Sequence, residues 1–146
     1  MTETISEKKQ RTAVRPRPAI NFDNKFYFDA LNQGELAIQK CLECSQLRHP
    51  PTPMCPSCHC LDWRPGVMSG RGEVFSFVVM HHPIVPPFEA GYVVAVIELE
   101  EGPRVVMNIE GIKAEQVVVG MPVLVSAERM DEDLVLPVAR PIGARS

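Results

Sequence analysis

The sequence predicts a mainly β protein: an N-terminal helix, a zinc ribbon, and a C-terminal five-stranded closed barrel of the OB type. Three observations carry that prediction. Two CxxC pairs, Cys41/Cys44 and Cys55/Cys58, flank a proline-rich stretch; one aromatic-rich helical segment precedes them; and five valine-rich runs separated by turn residues follow Gly66.

A chain of 146 residues with 45% apolar content holds one ordinary domain, or a small domain with a smaller module attached. The pattern divides it into a flexible basic tail (1–20), the helix (21–34), the ribbon (35–68), the barrel (69–141) and a short tail (142–146). Of 15 basic and 18 acidic residues, five and two fall in the first 20, leaving ten against sixteen in the remainder. The tail, with Pro16 and Pro18 near its end, buries too little surface to offset the entropy of ordering. The acidic body is a poor nucleic-acid platform, since polyanion binding needs clustered Lys and Arg. No run approaches the roughly 18 apolar residues of a membrane span, and no signal-peptide core is present. A cytoplasmic, reducing location follows as the expectation, and there paired CxxC spacings favour metal over disulfide.

Asp23 suits an N-cap, Phe26, Tyr27, Ala30 and Leu31 form one apolar face, and Gly34 suits the stop, which predicts a helix from about Asn24 to Asn32. Glu35 to Lys40 alternates, with Leu36 and Ile38 on one side, as a short strand does. Pro50, Pro51 and Pro53 then exclude a helix, so the excursion between the cysteine pairs is loop and ribbon. Beyond it, strands are predicted at Glu73–Met80, Tyr92–Leu99, Arg104–Glu110, Val123–Glu128 and Leu134–Ala139. Glu101-Gly102-Pro103, Gly120-Met121-Pro122 and Asp131-Glu132-Asp133 supply turn signals between them. Only Gly111 to Val119 has room for a helical turn. Five short antiparallel strands with one longer connection fit a closed OB barrel, and an open five-stranded sheet is the alternative.

The cysteine spacing is the most specific signal. Cys41-Leu42-Glu43-Cys44 and Cys55-Pro56-Ser57-Cys58 are two knuckles that place four thiolates at tetrahedral corners around zinc or iron. Four thiolates fill the shell and leave no position for water or substrate, so the site is structural. A redox dithiol would open a helix, whereas both pairs lie in proline-rich ribbon. His59 and Cys60 stand beside the second knuckle, and regular spacing selects Cys58 over Cys60.

Other residues carry weaker signals. His81 and His82, before the Pro83 to Pro87 loop, are a candidate base or ligand contact against a plain strand-end pair. Ser69-Gly70-Arg71-Gly72 would let backbone and guanidinium approach a phosphate, and a tight interdomain turn explains the glycines equally well. Phe22, Phe26, Tyr27, Phe28 and Leu31 exceed what one helix stripe needs, so they form a candidate partner interface, with packing on the chain's own ribbon as the alternative. No nucleophile–base arrangement, Walker loop or dinucleotide fingerprint can be assembled.

Taken in order, the aromatic helix, Gly34-Glu35-Leu36, the double-CxxC ribbon with Pro50-Pro51, Ser69-Gly70-Arg71-Gly72-Glu73-Val74, and Leu99 through Pro103 resemble one family. It is the acyl-CoA-associated zinc-ribbon and OB-fold family known as domain of unknown function 35, and the resemblance runs from Asn21 to Pro141. The resemblance implies a rubredoxin-like ribbon with structural zinc and an OB barrel. It further implies a non-catalytic accessory subunit in a hetero-oligomer with a thiolase-like acyl-CoA enzyme, such as a retro-aldolase of steroid or other side-chain CoA thioesters. Any hydratase would be a separate subunit. A CoA thioester is then the expected ligand, with Arg71, His81 and His82 as contacts, and the alternative is a nucleic-acid-binding OB module.

Overall fold

The computed structural model describes residues 15–143; the tail expectations for residues 1–14 and 144–146 lie outside the described residues. Helix α1 (Lys25–Asn32) starts from a knot of asparagines. Asn21 Oδ1 accepts the amides of Asp23 at 3.0 Å and Asn24 at 3.1 Å, and Asn24 Oδ1 accepts the amide of Asn21 at 2.8 Å. Asp23 is therefore not the cap; Asn24 takes that position, because an Asx turn has already used the local amides. The far end follows expectation. Gly34 adopts φ 84, and the amides of Gly34 and Glu35 donate to Leu31 and Ala30 carbonyls at 3.0 and 2.9 Å, the pairing that ends helices in a left-handed turn.

That turn uses Glu35, so the first strand begins two residues later than expected, as β1 (Ala37–Cys41). It is the centre of a three-stranded antiparallel sheet between β2 (Leu47–Arg48) and β3 (Trp63–Val67). The strand character of β3 is hidden in the sequence by Pro65 and Gly66. Both are tolerated because β3 is an edge, where a missing N–H costs no ladder bond.

The remaining strands are β4 (Arg71–Met80), β5 (Tyr92–Leu99), β6 (Arg104–Ile109), β7 (Pro122–Arg129) and β8 (Val135–Pro141). They close into a barrel in the order β4-β5-β6-β8-β7, which excludes the open sheet. One pair departs from the all-antiparallel expectation: β6 and β8 run parallel, through Asn108↔Val138 and Ile109↔Ala139. The long β6–β7 connection, with a 3-10 turn at Ala114–Gln116, makes this possible by crossing the barrel end.

Closure depends on bending β4, which pairs with β5 over most of its length and with β7 through Arg71, Gly72 and Glu73. A bulge between Val74 and Ser76 supplies part of the bend. The glycines supply the rest by removing side chains where backbones crowd. A Cβ on Gly70 would sit 2.7 Å from the Val125 carbonyl oxygen, and one on Gly72 would sit 2.5 Å from that of Glu98.

Strand alternation sends Val93, Ala95, Ile97 and Leu99 of β5 inward with Val105, Met107 and Ile109 of β6. The same cluster continues outside the barrel through Tyr27 and Leu31 of α1 and Leu36 and Ile38 of the ribbon. Leu31 is 1% exposed, and burying such a side chain contributes about 1.5–3 kcal/mol. Helix, ribbon and barrel thus share one core. The segment before the helix is also engaged: Arg15 and Arg17, expected in a free tail, hydrogen-bond to barrel residues.

Candidate metal centre and ligand-facing surfaces

The two knuckles are built alike. The amide of Cys41 donates to Gln46 O at 2.9 Å and that of Ser45 to Cys41 O at 3.1 Å; the amide of Cys55 donates to Cys60 O at 2.9 Å and that of His59 to Cys55 O at 3.0 Å. Ser45 and His59, the equivalent fifth residues, both take positive φ, 63 and 64. Each turn wraps backbone N–H groups around its sulfurs.

The result is one cluster: Sγ atoms of Cys41, Cys44, Cys55 and Cys58 lie within 4.8 Å of one another. Sulfur pairs Cys41/Cys58 and Cys44/Cys55 are each 3.5 Å apart, close to the roughly 3.8 Å between corners of a tetrahedron with 2.3 Å zinc–sulfur bonds. The donor set fits a thiolate-bound metal with no open coordination position. Electrostatics points the same way. The amides of Cys44 and Glu43 help hold the Cys41 thiol down at about 6. Cys58, despite the Cys60 amide, is pushed up to about 12 by desolvation and by the sulfurs of Cys41, Cys44 and Cys55. Four thiolates this close need a cation to ionise together.

Cys60 is excluded from the cluster by the knuckle pattern: its carbonyl plays the part of Gln46, and its sulfur accepts the Asp62 amide at 3.3 Å. Two residues that sequence reading missed brace the proline loop. Gln39, buried on β1, exchanges two hydrogen bonds with the Thr52 backbone, at 3.0 and 2.9 Å. Arg48, 7% exposed, donates Nη2 to Thr52 O at 3.2 Å, while its buried Nε and Nη1 have no partner among the described residues. The Gln39 link to residue 52 joins β1 to the loop across 13 positions, so no local spacing reveals it.

The expected CoA contacts do not form one site. Arg71 opens β4, and His81 and His82 follow its far end, a separation of about 30 Å along an extended strand. Arg71 lines a recess with Glu73, Glu98 and Glu100, an environment that repels phosphate. His81 borders a recess with Lys113 and Glu115; His82 is exposed. The expected partner surface on the helix is also reduced. Tyr27 and Leu31 belong to the shared core, Phe26 meets Trp63 at 4.6 Å between ring centroids, and Phe28 packs against the core. Of the five, only Phe22, 94% exposed, is fully free.

Two cavities open on the β5–β6 face. One, of about 430 Å³, runs between α1, the Pro50-Pro51 loop and the barrel, lined by Tyr27, Phe28, His49, Val94, Val106 and Leu136 among others. Burial pushes the Tyr27 hydroxyl up to about 12 and lowers the His49 imidazole, so both are neutral near pH 7. The other, of about 460 Å³, lies between the β4–β5 loop and the β7–β8 turn, with Phe88, Tyr92, Glu89, Glu110 and Asp131 in its walls. These loops flank the surface on which OB barrels bind single strands, and three carboxylates there oppose a polyanion. Among the described residues, no helix is long and apolar enough to cross a membrane.

Fold and cluster together define a zinc-ribbon protein with a fused OB barrel. Residues 28–62 match the model of the ChsH2 rubredoxin-like zinc ribbon domain, and residues 66–128 that of the ChsH2 C-terminal OB-fold domain. The chain belongs to this ChsH2, or DUF35, family. It is 50% identical to a chain of a solved structure titled Ltp2-ChsH2(DUF35) aldolase, with a TM-score of 0.83, covering 86% of this chain and 98% of that one. A probable enoyl-CoA hydratase alpha subunit of Thermomonospora curvata is 49% identical over 96% of this chain and 43% of its own length. The 3-oxo-4,17-pregnadiene-20-carboxyl-CoA hydratase alpha subunit of Mycobacterium tuberculosis is 42% identical over 73% of this chain and 34% of its own. The chain thus spans less than half the length of either relative.

Proposed function

We propose that this protein is a non-catalytic accessory subunit of a thiolase-like acyl-CoA enzyme, with a retro-aldolase of side-chain CoA thioesters as the leading partner. The observation that supports it most is the likeness, over 86% of this chain and 98% of the other, to a chain of the structure titled Ltp2-ChsH2(DUF35) aldolase. In this reading zinc on Cys41, Cys44, Cys55 and Cys58 is a structural cross-link that holds the proline loop against α1 and the barrel. Phe22 and the exposed rims of Phe26 and Phe28 meet the partner; Tyr27 and Leu31 are excluded by their burial.

The groove under α1 suits the uncharged arm of a CoA thioester better than the surroundings of Arg71. It combines apolar walls with neutral Tyr27 and His49 and the amides of Asn24 and Asn108, the lining expected of a small-molecule site. Arg71, His81 and His82 lie outside that groove and in this reading are separate contacts with the partner.

Co-expression with a thiolase-like protein from the same source, followed by CoA-thioester turnover with and without this chain, tests the reading. A stable complex whose turnover depends on this subunit is the expected result. Failure to associate with any such partner, or equal turnover without the chain, refutes it.

A further inference from the structure

The segment Arg15-Pro16-Arg17-Pro18 is preset for display. Each arginine precedes a proline, which drives it out of helical backbone into the extended region. In extended chain, residues two apart project to the same side, so both guanidinium groups reach one surface. That surface is the cleft between the β4–β5 loop and the β7–β8 turn.

Both arginines find fitted partners there. Arg17 donates Nη1 and Nη2 to the two carboxylate oxygens of Asp131, at 2.6 and 2.8 Å, and Nη2 also to Asp133 Oδ1 at 2.6 Å. Arg15 donates to Asn108 Oδ1 and, at 3.2 Å, to Met130 Sδ, with its guanidinium carbon 4.9 Å from the centroid of Phe88. Phe88 in turn stacks on Tyr92 at 4.9 Å.

The receiving groups are braced independently of the arm. Asn108 Nδ2 donates to Val93 O at 3.1 Å, which turns Oδ1 toward Arg15. Asp131 Oδ1 accepts the Asp133 amide at 3.2 Å, and Arg129 Nη1 ties down the Glu132 carbonyl at 2.7 Å. A carboxylate fork, a directed amide oxygen and an aromatic face are the three features that recognise a planar guanidinium.

We propose that this cleft is an arginine-recognition site whose resident ligand is the chain's own Arg15–Pro18 segment, which straps the β5–β6 face of the barrel. The strap separates the two cavities on that face, since Arg15 lines both. It explains how the Phe88–Tyr92 stack on the barrel surface is half-buried, and it makes access to the acidic cleft a matter of competition for Asp131 and Asp133. The Asp131 carboxyl, hydrogen-bonded to Arg17, is held down at about 2, as this pairing requires. The inference stands apart from the proposed accessory role, and its test uses no partner enzyme.

The test is binding of a fluorescein-labelled peptide of residues 10–20, in trans, to the zinc-loaded full chain and to R15A/R17A. A tethered arm acts at an effective concentration of about 1 mM, so against a peptide Kd of about 0.1 mM the unaltered chain should bind about tenfold more weakly than R15A/R17A. Adding D131N/D133N to that variant should abolish the gain, and binding should weaken on moving from about 0.05 to 0.5 M salt. Equal peptide binding by the two chains, or binding indifferent to the Asp131 and Asp133 changes, overturns the proposal. Should R15A/R17A fail to fold, the Arg17 Nη–Hη resonances of the unaltered chain decide: protected from water exchange if the strap exists, and unprotected in D131N/D133N; unprotected resonances in the unaltered chain overturn it.

Discussion

Replacing Gly72 by alanine separates two uses of the Gly70-Arg71-Gly72 turn, strand closure and phosphate approach. The added Cβ meets Glu98 O at 2.5 Å, Ile97 Cγ2 at 3.0 Å and Glu98 C at 3.2 Å. Ordinary contact begins near 3.4 Å, so β4 and β5 must part by close to an ångström at a residue that also pairs with Val123 on β7. Two of the three obstructing atoms are backbone, which no rotamer change relieves. Overpacking of this kind costs about 1–3 kcal/mol, which for a domain of this size lowers Tm by about 3–15 °C. Thermal melts of zinc-loaded G72A and R71A, followed by far-ultraviolet circular dichroism, provide the assay. Arg71 is exposed, so R71A should stay within about 0.5 kcal/mol of the parent. A G72A Tm unchanged within about 1 °C would refute the closure argument.

Other expectations follow from the same geometry. Cys41→Ser should abolish stoichiometric zinc binding and expose the ribbon amides to hydrogen exchange, whereas Cys60→Ser should retain one zinc per chain by elemental analysis. Leu31→Ala should cost about 2–5 kcal/mol in urea unfolding and loosen ribbon and barrel in a single transition. Asp131 is depressed from an ordinary 3.8 to about 2, chiefly by its hydrogen bond from Arg17. A depressed carboxylate contributes above its unfolded pKa and fails below its folded one, so docking of Arg17 should be complete above about pH 4 and lost toward pH 2. The Arg17 side-chain NMR signal reports that loss directly.

Much of this architecture is written locally in the chain. The clustering of Cys41, Cys44, Cys55 and Cys58 was legible because a knuckle fixes its own spacing, and β5 was legible end to end because strict alternation marks a strand with one face in a core. Misreadings arose where distant groups decide. Asp23 looked like a cap until Asn21 took its amides, and β3 was hidden by Pro65 and Gly66, which only an edge position tolerates. The parallel β6·β8 pair depends on a crossing that no turn signal announces. Tyr27 and Leu31 read as surplus apolar surface because sequence shows what must be covered and not what covers it. Arg17 and its acids are more than 110 residues apart, so a composition that reads as free tail gives no sign that Arg15 and Arg17 contact the barrel.

The shared core has an evolutionary corollary. Leu36 and Ile38 belong to the ribbon in sequence yet lie in the same apolar cluster as the barrel valines, with Tyr27 and Leu31 filling the joint. A recombination breakpoint between residues 66 and 71 would therefore deliver two fragments with raw apolar faces, not two interchangeable cassettes. Gene fusions and transplants built from this chain should carry the helix, ribbon and barrel as one hereditary unit. Drift at Leu31 would then be constrained by substitutions at Leu36 or Ile38, on the opposite side of the nominal module boundary.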